Sequence, residues 1–282
     1  MKKVLYLLFL ILSFVGCTNI NQKVGVRWAT FNIRLDTPYD SLNSWQYRRD
    51  RACQWIKDMN IDVFGAQEVL HNQLVDMEER LPDFQAIGVG RDDGKEGGEY
   101  SAVFFKKNKF ELLDSNTFWL SENPDSIGKK GWDAACVRIA TWAKLKDKQS
   151  GKIFMAVNTH FDHIGTEARK QSALLIIRKI KEIVGDKPAV LTGDFNVNDQ
   201  SEAYKTITTN EFVLEDAYKI ANSKEGVSYT FHDYGRVPIA EREKIDFIFV
   251  TPSIHVIKAG IPQEDSNGFI SDHNPHWADI EF

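Results

Sequence analysis

Cysteine is scarce: three residues in 282, at Cys17, Cys53 and Cys136, and no CxxC pair. A cysteine-built zinc site is disfavoured on that count. Cys53 falls in a helical pattern and Cys136 in a strand pattern. They could pair in an oxidising compartment, but two free core thiols are the expectation. A basic excess is also missing. Thirty-five Lys and Arg against 40 Asp and Glu leave a net charge of −5. That removes the simplest electrostatic case for a polynucleotide partner, a broadly basic surface. No internal repeat, low-complexity tract or Pro/Gly/Ser-rich linker divides the chain, so a single domain is expected. The apolar run Val4 to Val15 is 12 residues long, whereas a membrane-spanning helix needs about 20.

That run has another meaning. Lys2 and Lys3 precede it and Gly16-Cys17 follow, the pattern of a secretory signal over residues 1–16. Phe14-Val15-Gly16-Cys17 resembles a bacterial lipoprotein box, with Phe14 where that pattern prefers Leu. The resemblance implies that Cys17 is diacylated and becomes the first residue of an exported protein. The protein would then be held on a bacterial membrane, at the cell surface or facing the periplasm. Residues 17–23 would be its tether and 24–282 its folded domain, expected as a monomer.

Along the domain, strand and helix patterns alternate. Val24, Val26, Trp28 and Thr30 share one strand face, and Ala52, Trp55, Ile56 and Met59 share a helix face within Trp45 to Met59. Ile61 to Ala66 reads as a strand and Leu70 to Arg80 as a helix. Tyr100 to Phe105 and Phe110 to Trp119 read as a hairpin around a basic turn, and Val137 to Leu145 with Ile153 to Thr159 as a second hairpin. Glu167 to Val184 is the longest helix, and Ala189 to Thr192, Ile245 to Val250 and His276 to Phe282 are further strands. The mixture predicts an α/β fold with two packed sheets covered by helices.

Polar residues recur at the ends of these buried strands. Asn32, Glu68, His160 and Asp194 with Asn196 follow apolar runs, Asp246 lies within one, and Asp272-His273 precedes the last. Rigid strands carrying acids, amides and imidazoles suit a site that must hold groups within about half an ångström. The combination has a chemical logic. Hydrolysis of a phosphate ester needs a hard cation on oxygen ligands, for which Glu68, Asp272 and Asn32 are suitable. It needs a base such as His273, oriented by a buried acid such as Asp246. It also needs donors for the phosphoryl oxygens, such as His160 and Asn196. Two rival motifs fail. Asp194 to Asn198 begins like an EF-hand loop, but its sixth and twelfth positions are Asp199 and Lys205 instead of Gly and Glu. His160-Phe161-Asp162-His163 has no HExxH context and no cysteine partner in sequence.

The ordered set Thr-Phe-Asn32, Ala-Gln-Glu68, Asn-Thr-His160, Gly-Asp194-Phe-Asn196, Lys-Ile-Asp246-Phe and Ser-Asp272-His273 resembles the endonuclease/exonuclease/phosphatase superfamily. The resemblance spans Val24 to Phe282. It implies a four-layer α/β sandwich and an Mg²⁺-dependent phosphoesterase, with Mn²⁺ as a substitute metal. Glu68 would be the principal metal ligand, with Asn32 and Asp272. His273 oriented by Asp246 would be the base. Asp194 would position the nucleophile or protonate the leaving oxygen, and Asn196 and His160 would contact the phosphate. Glu99 looks like the acid that pairs with His160 in the deoxyribonuclease branch.

Substrate choice belongs to loops. Trp119 to Asp133 lacks periodicity and carries Trp119, Trp132, Lys129 and Lys130, as an aromatic and basic lid would. Arg138 could grip a phosphate. Trp45 with Arg48, Arg49 and Arg51 reads either as a second basic rim or as a solvated helix face. The expected substrate is a phosphorylated metabolite or a phospholipid head group, with nucleic acid less favoured because the chain is acidic.

Overall fold

The computed structural model describes residues 24–209, 212, 214–264 and 268–282. The expected signal and the Cys17 tether lie outside them. Among the described residues, thirteen strands form two sheets. They are β1 (Gly25–Asn32), β2 (Val63–Val69), β3 (Phe84–Ile87), β4 (Tyr100–Lys106), β5 (Phe110–Trp119), β6 (Ile139–Asp147), β7 (Ile153–His160), β8 (Ala189–Asp194), β9 (Glu215–Asp216), β10 (Ser223–Gly226), β11 (Asp246–Val250), β12 (His255–Ile261) and β13 (His276–Glu281). One sheet runs β10-β12-β13-β1-β2-β4-β3 and the other β5-β6-β7-β8-β11-β9. Helices α1 (Trp45–Asp58) and α2 (His71–Arg80) cover the first sheet, and α3 (Thr166–Val184) and α4 (Glu202–Thr209) the second; α5 (Ala217–Ile220) is one short turn. This is the four-layer α/β sandwich. No helix among the described residues is long and apolar enough to cross a membrane.

The alternation in β1 decides its two faces. Val26 and Trp28 point between the sheets, where they meet Phe105, Phe110, Phe154, Val190 and Ile248. Ala29 and Phe31 point outward against Ala52, Cys53 and Ile56 of α1. Full burial of each large apolar side chain contributes roughly 1.5–3 kcal/mol. The inter-sheet layer and the two helix layers therefore hold the fold together.

One expected pairing is wrong. β4 and β5 do not form a hairpin: β4 pairs with β2 and β3, whereas β5 pairs with β6 in the other sheet. The Lys106 to Lys109 turn is instead a crossover. The ammonium groups of Lys106 and Lys109 both donate to Asp62, and Phe110 drops at once into the inter-sheet core. The second expected hairpin, β6 with β7, does pair antiparallel.

Candidate active site

The site sits where the strands of both sheets end. In one sheet the register sets His160 beside Asp194, and Asp194 opposite Asp246. In the facing sheet Asn32 pairs with Gln67, immediately before Glu68. Buried amides pin the sheets together here. Asn158 donates to the carbonyls of Ala66 and Ala102, and Gln67 donates to Thr30 and Asn158. Gly65 permits this crossing, since a Cβ there would lie 2.2 Å from Thr192 Oγ1. Gln67 and Asn158, both inside the sequence motifs, therefore fix the spacing of the sheets.

Glu68 lies at a break in the β2–β4 register and has φ 59°. A bulge of this kind re-aims a side chain, and here it turns the carboxylate into the site. Asn32 Nδ2 donates to Glu68 Oε1 (3.0 Å) and to Asp194 Oδ2 (2.9 Å). Leu35 N donates to Glu68 Oε2 at 3.1 Å. Arg34 also has positive φ, 58°. Its guanidinium is held by Asp40 and lies 3.9 Å from Glu68 and 3.8 Å from Asp272. Left-handed backbone at Arg34, Glu68, Asn196, Asp233 and Tyr234 clusters strain around the site, as functional sites often do.

His273 is 4% exposed, and its Nδ1 donates to Asp246 Oδ2 at 2.8 Å. Its Nε2 then faces Asp194 Oδ2 at 3.8 Å. Burial pulls the His273 pKa down, but the charges of Asp246, Asp194 and Asp272 outweigh it and hold the pKa well above the ordinary value. Asp194 moves the other way from a normal carboxylate. Burial and the charge of Asp246 push it up to about 7. Asn196 N donates to Asp194 Oδ1, and its amide donates to Phe161 O and lies 3.0 Å from His160 Nε2. Burial and the nearby Arg138 and Arg91 keep His160 neutral. Glu99 Oε2 is 3.8 Å from His160 Nδ1, while its Oε1 is held by Arg91 at 2.6 Å.

Asn32, Glu68, His160, Asp194, Asn196, Asp246, Asp272 and His273 thus form one continuous network, with Glu99 and Arg138 behind His160. Trp119 and Trp132 stand apart from it. Trp119 is 5% exposed and its indole N–H donates to Arg91 O. Trp132 packs on the core beneath α3. The segment between them does not carry freely swinging aromatics.

Sequence reading did not single out Arg34 and Arg91, and it offered Arg48 only as part of a basic rim or a solvated helix face. Arg48 belongs to neither a rim nor a solvated face. It is fully buried and donates to the carbonyls of Asn43, Ile33, Arg34 and Ile270, tying the segments that carry Asn32 and Asp272. Its place three residues after buried Trp45, on the apolar face of α1, was the available signal. Cys136 is half-buried, not a core thiol, and lies close to Asp162 and His163. Asp162 already accepts backbone N–H bonds from Cys136, Ile164 and Gly165, which leaves its oxygens poorly placed for a metal.

The arrangement can hold a cation beside a buried histidine–carboxylate pair. Among the described residues, Glu68, His160 and Asp194 bring ligand atoms within 4.8 Å of one another, and so do Asp194, Asp246 and His273. Asp272 is pushed above the ordinary carboxylate range by burial, and the charge of Glu68 adds to it. Crowded oxygen donors of one sign fit a hard divalent cation.

Solved structures share this fold. The chain is 67% identical to an endonuclease/exonuclease/phosphatase from Bacteroides vulgatus, with TM-score 0.91, covering 92% of this chain and 99% of that one. It is 38% identical to a mannosyl-6-phosphatase from Bacteroides thetaiotaomicron, with TM-score 0.85, covering 91% and 100%. Among curated proteins, uncharacterized protein L388 of Acanthamoeba polyphaga mimivirus is 31% identical over 62% of this chain and 68% of its own length. Nocturnin of Drosophila melanogaster is 26% identical, and the match spans 27% of it. The model of the endonuclease/exonuclease/phosphatase family matches residues 29–273, and the chain belongs to that family of metal-dependent phosphoester hydrolases.

Proposed function

We propose that the protein uses Mg²⁺, with Mn²⁺ as a substitute, to hydrolyse a small phosphorylated metabolite, a sugar phosphate being the first candidate. The observation that carries this reading is the His273–Asp246 pair facing Asp194, beside a cluster of oxygen donors. The similarity to a mannosyl-6-phosphatase supports the substrate class. A phospholipid head group is the other candidate.

Asn32, Glu68 and Asp272 would hold the cation. When bound, the cation neutralises charge that builds on the phosphoryl group and the leaving oxygen. His273 Nε2 takes a proton from the attacking water while Asp246 keeps its Nδ1 protonated. Asp194 holds a proton for the leaving oxygen, a role suited to a carboxyl pushed up to about 7. Asn196 and His160 orient the phosphoryl oxygens. The P–O bond to the substrate breaks as the bond to water oxygen forms, giving inorganic phosphate and an alcohol when the substrate is a monoester.

Export and anchoring through Cys17 belong to the same proposal, as does action by a single subunit. The test is phosphate release from sugar phosphates, phospholipid head groups and DNA by purified protein with Mg²⁺. Release from a sugar phosphate supports the reading, and cleavage of DNA alone overturns it.

A further inference from the structure

Arg34 stands on the reacting side of the site with one edge of its guanidinium uncommitted. Nε and Nη2 donate to the two oxygens of Asp40 at 3.0 and 3.1 Å. Nη1 makes no hydrogen bond among the described residues; it lies 3.9 Å from Glu68 Oε2, beyond bonding distance. Asp272 Oδ2 is 3.8 Å from Nε. The side chain is 29% exposed, so a ligand can reach it. Arg48 offers no such edge, because it is fully buried and spends its donors on carbonyls. Arg91 and Arg138 lie behind His160, held against Glu99 and His163.

The fold aims the Arg34 side chain. Its N–H donates to Asn32 Oδ1. Its carbonyl accepts from Arg48 Nη2 at 3.2 Å and Gln73 Nε2 at 2.9 Å. Both of those side chains are fully buried, and they hold the left-handed backbone that Arg34 adopts. Asp40, 4% exposed at its side chain, accepts in turn from the Tyr234 hydroxyl at 3.1 Å. A guanidinium clamped along one edge keeps its remaining donors pre-organised for an oxyanion, which a lysine could not do.

The site needs such a donor. Glu68, Asp194, Asp246 and Asp272 crowd four carboxyl groups into it, and a phosphate ester brings further negative charge. Nη1 opens beside Glu68 and Asp272, the residues proposed to hold the cation, where the phosphoryl group must come. Charge-assisted arginine donors match phosphate oxygens.

We propose that Arg34 is a catalytic residue that grips a phosphoryl oxygen of the substrate, with Asp40 as the positioning residue that aims it. This rests on the phosphoesterase reading above.

The experiment measures kcat/KM for p-nitrophenyl phosphate with Mg²⁺ in wild type, Arg34→Met, Asp40→Asn and the double variant. Calorimetry follows the binding of inorganic phosphate with Mg²⁺ present, and of Mg²⁺ alone; circular dichroism checks folding. Arg34→Met should lose about 100-fold in kcat/KM and about tenfold in phosphate affinity, the scale of charge-assisted contacts. It should bind Mg²⁺ at least as tightly as wild type, because a like charge beside Glu68 and Asp272 is gone. Asp40 acts through Arg34, so the double variant should bind phosphate within about threefold of Arg34→Met. Unchanged phosphate affinity in folded Arg34→Met overturns the proposal. So does weakened Mg²⁺ binding, which would assign Arg34 to holding the carboxylates in place. Additive losses in the double variant overturn the role of Asp40. If wild type cleaves no ester, the hydrolase reading fails, and phosphate binding alone then decides the role of Arg34. Should Arg34→Met fail to fold, Arg34→Lys decides it: one ammonium cannot clamp Asp40 and reach phosphate together, so its phosphate affinity should still fall about tenfold, and an unchanged affinity overturns the proposal.

Discussion

Replacing Asp246 with Asn probes the base directly. Asp246 is fully buried; Oδ2 accepts from His273 Nδ1, and Oδ1 has no hydrogen-bond partner among the described residues. Asn fits the same space but removes the charge. Its amide can present oxygen, keeping the tautomer without the charge, or nitrogen, forcing the wrong tautomer. Either way the imidazole becomes a poorer base. General acid–base groups contribute about 10²–10⁴-fold, or about 3–5 kcal/mol of transition-state stabilisation. Asp246→Asn and His273→Ala should each lose activity in that range. The double variant should fall within about threefold of His273→Ala, because the pair acts as a unit. The pH profile adds a signed test. Burial pulls His273 down and the Asp246 charge raises it, so removing the charge lowers its pKa. The acid limb of kcat/KM must then move to lower pH. Additive losses, or an acid limb that stays in place, would refute the pairing.

Other outcomes follow from the same physics. Cys17→Ser should move the protein from membrane to soluble fractions; equal membrane retention would end the anchor proposal. His276 is fully buried, and burial depresses its pKa to about 3. The unfolded chain binds a proton near pH 6.5 that the native state refuses, so stability falls as pH drops from there toward about 3. The upper bound is roughly 5 kcal/mol, and the urea midpoint of wild type should fall more steeply than that of His276→Phe as pH drops below about 6.5; parallel slopes would refute it. Trp119→Ala should cost about 3–5 kcal/mol of stability as a core truncation; an unaltered melting curve would show that its packing matters little.

Most of the site was legible in the sequence because its residues terminate apolar strands. Asn32, His160 and Asp194 end recognisable runs, and strand alternation correctly assigned the faces of β1. The rest depended on long-range partners. Lys106 to Lys109 looks like a hairpin turn, since nothing local shows that Asp62 draws its lysines into a crossover. Strands β9 and β10 are two and four residues long, too short for periodicity to register. Arg48 reads as a surface charge until the carbonyls that surround it are known. Trp119 and Trp132 resemble lid aromatics because sequence does not distinguish an aromatic in an irregular segment from one packed beneath it.

The central claim is a cation held at Glu68 that supports phosphoester hydrolysis. Its most direct measurement is Mg²⁺-dependent turnover of a phosphate ester by wild type and Glu68→Gln, with and without excess EDTA. The substitution keeps the shape and removes the charge. Chelation should abolish wild-type turnover, and Glu68→Gln should lose at least ~2 kcal/mol of transition-state stabilisation, roughly thirtyfold in rate. Full wild-type activity in EDTA, or a Glu68→Gln enzyme as fast as wild type, would contradict the account.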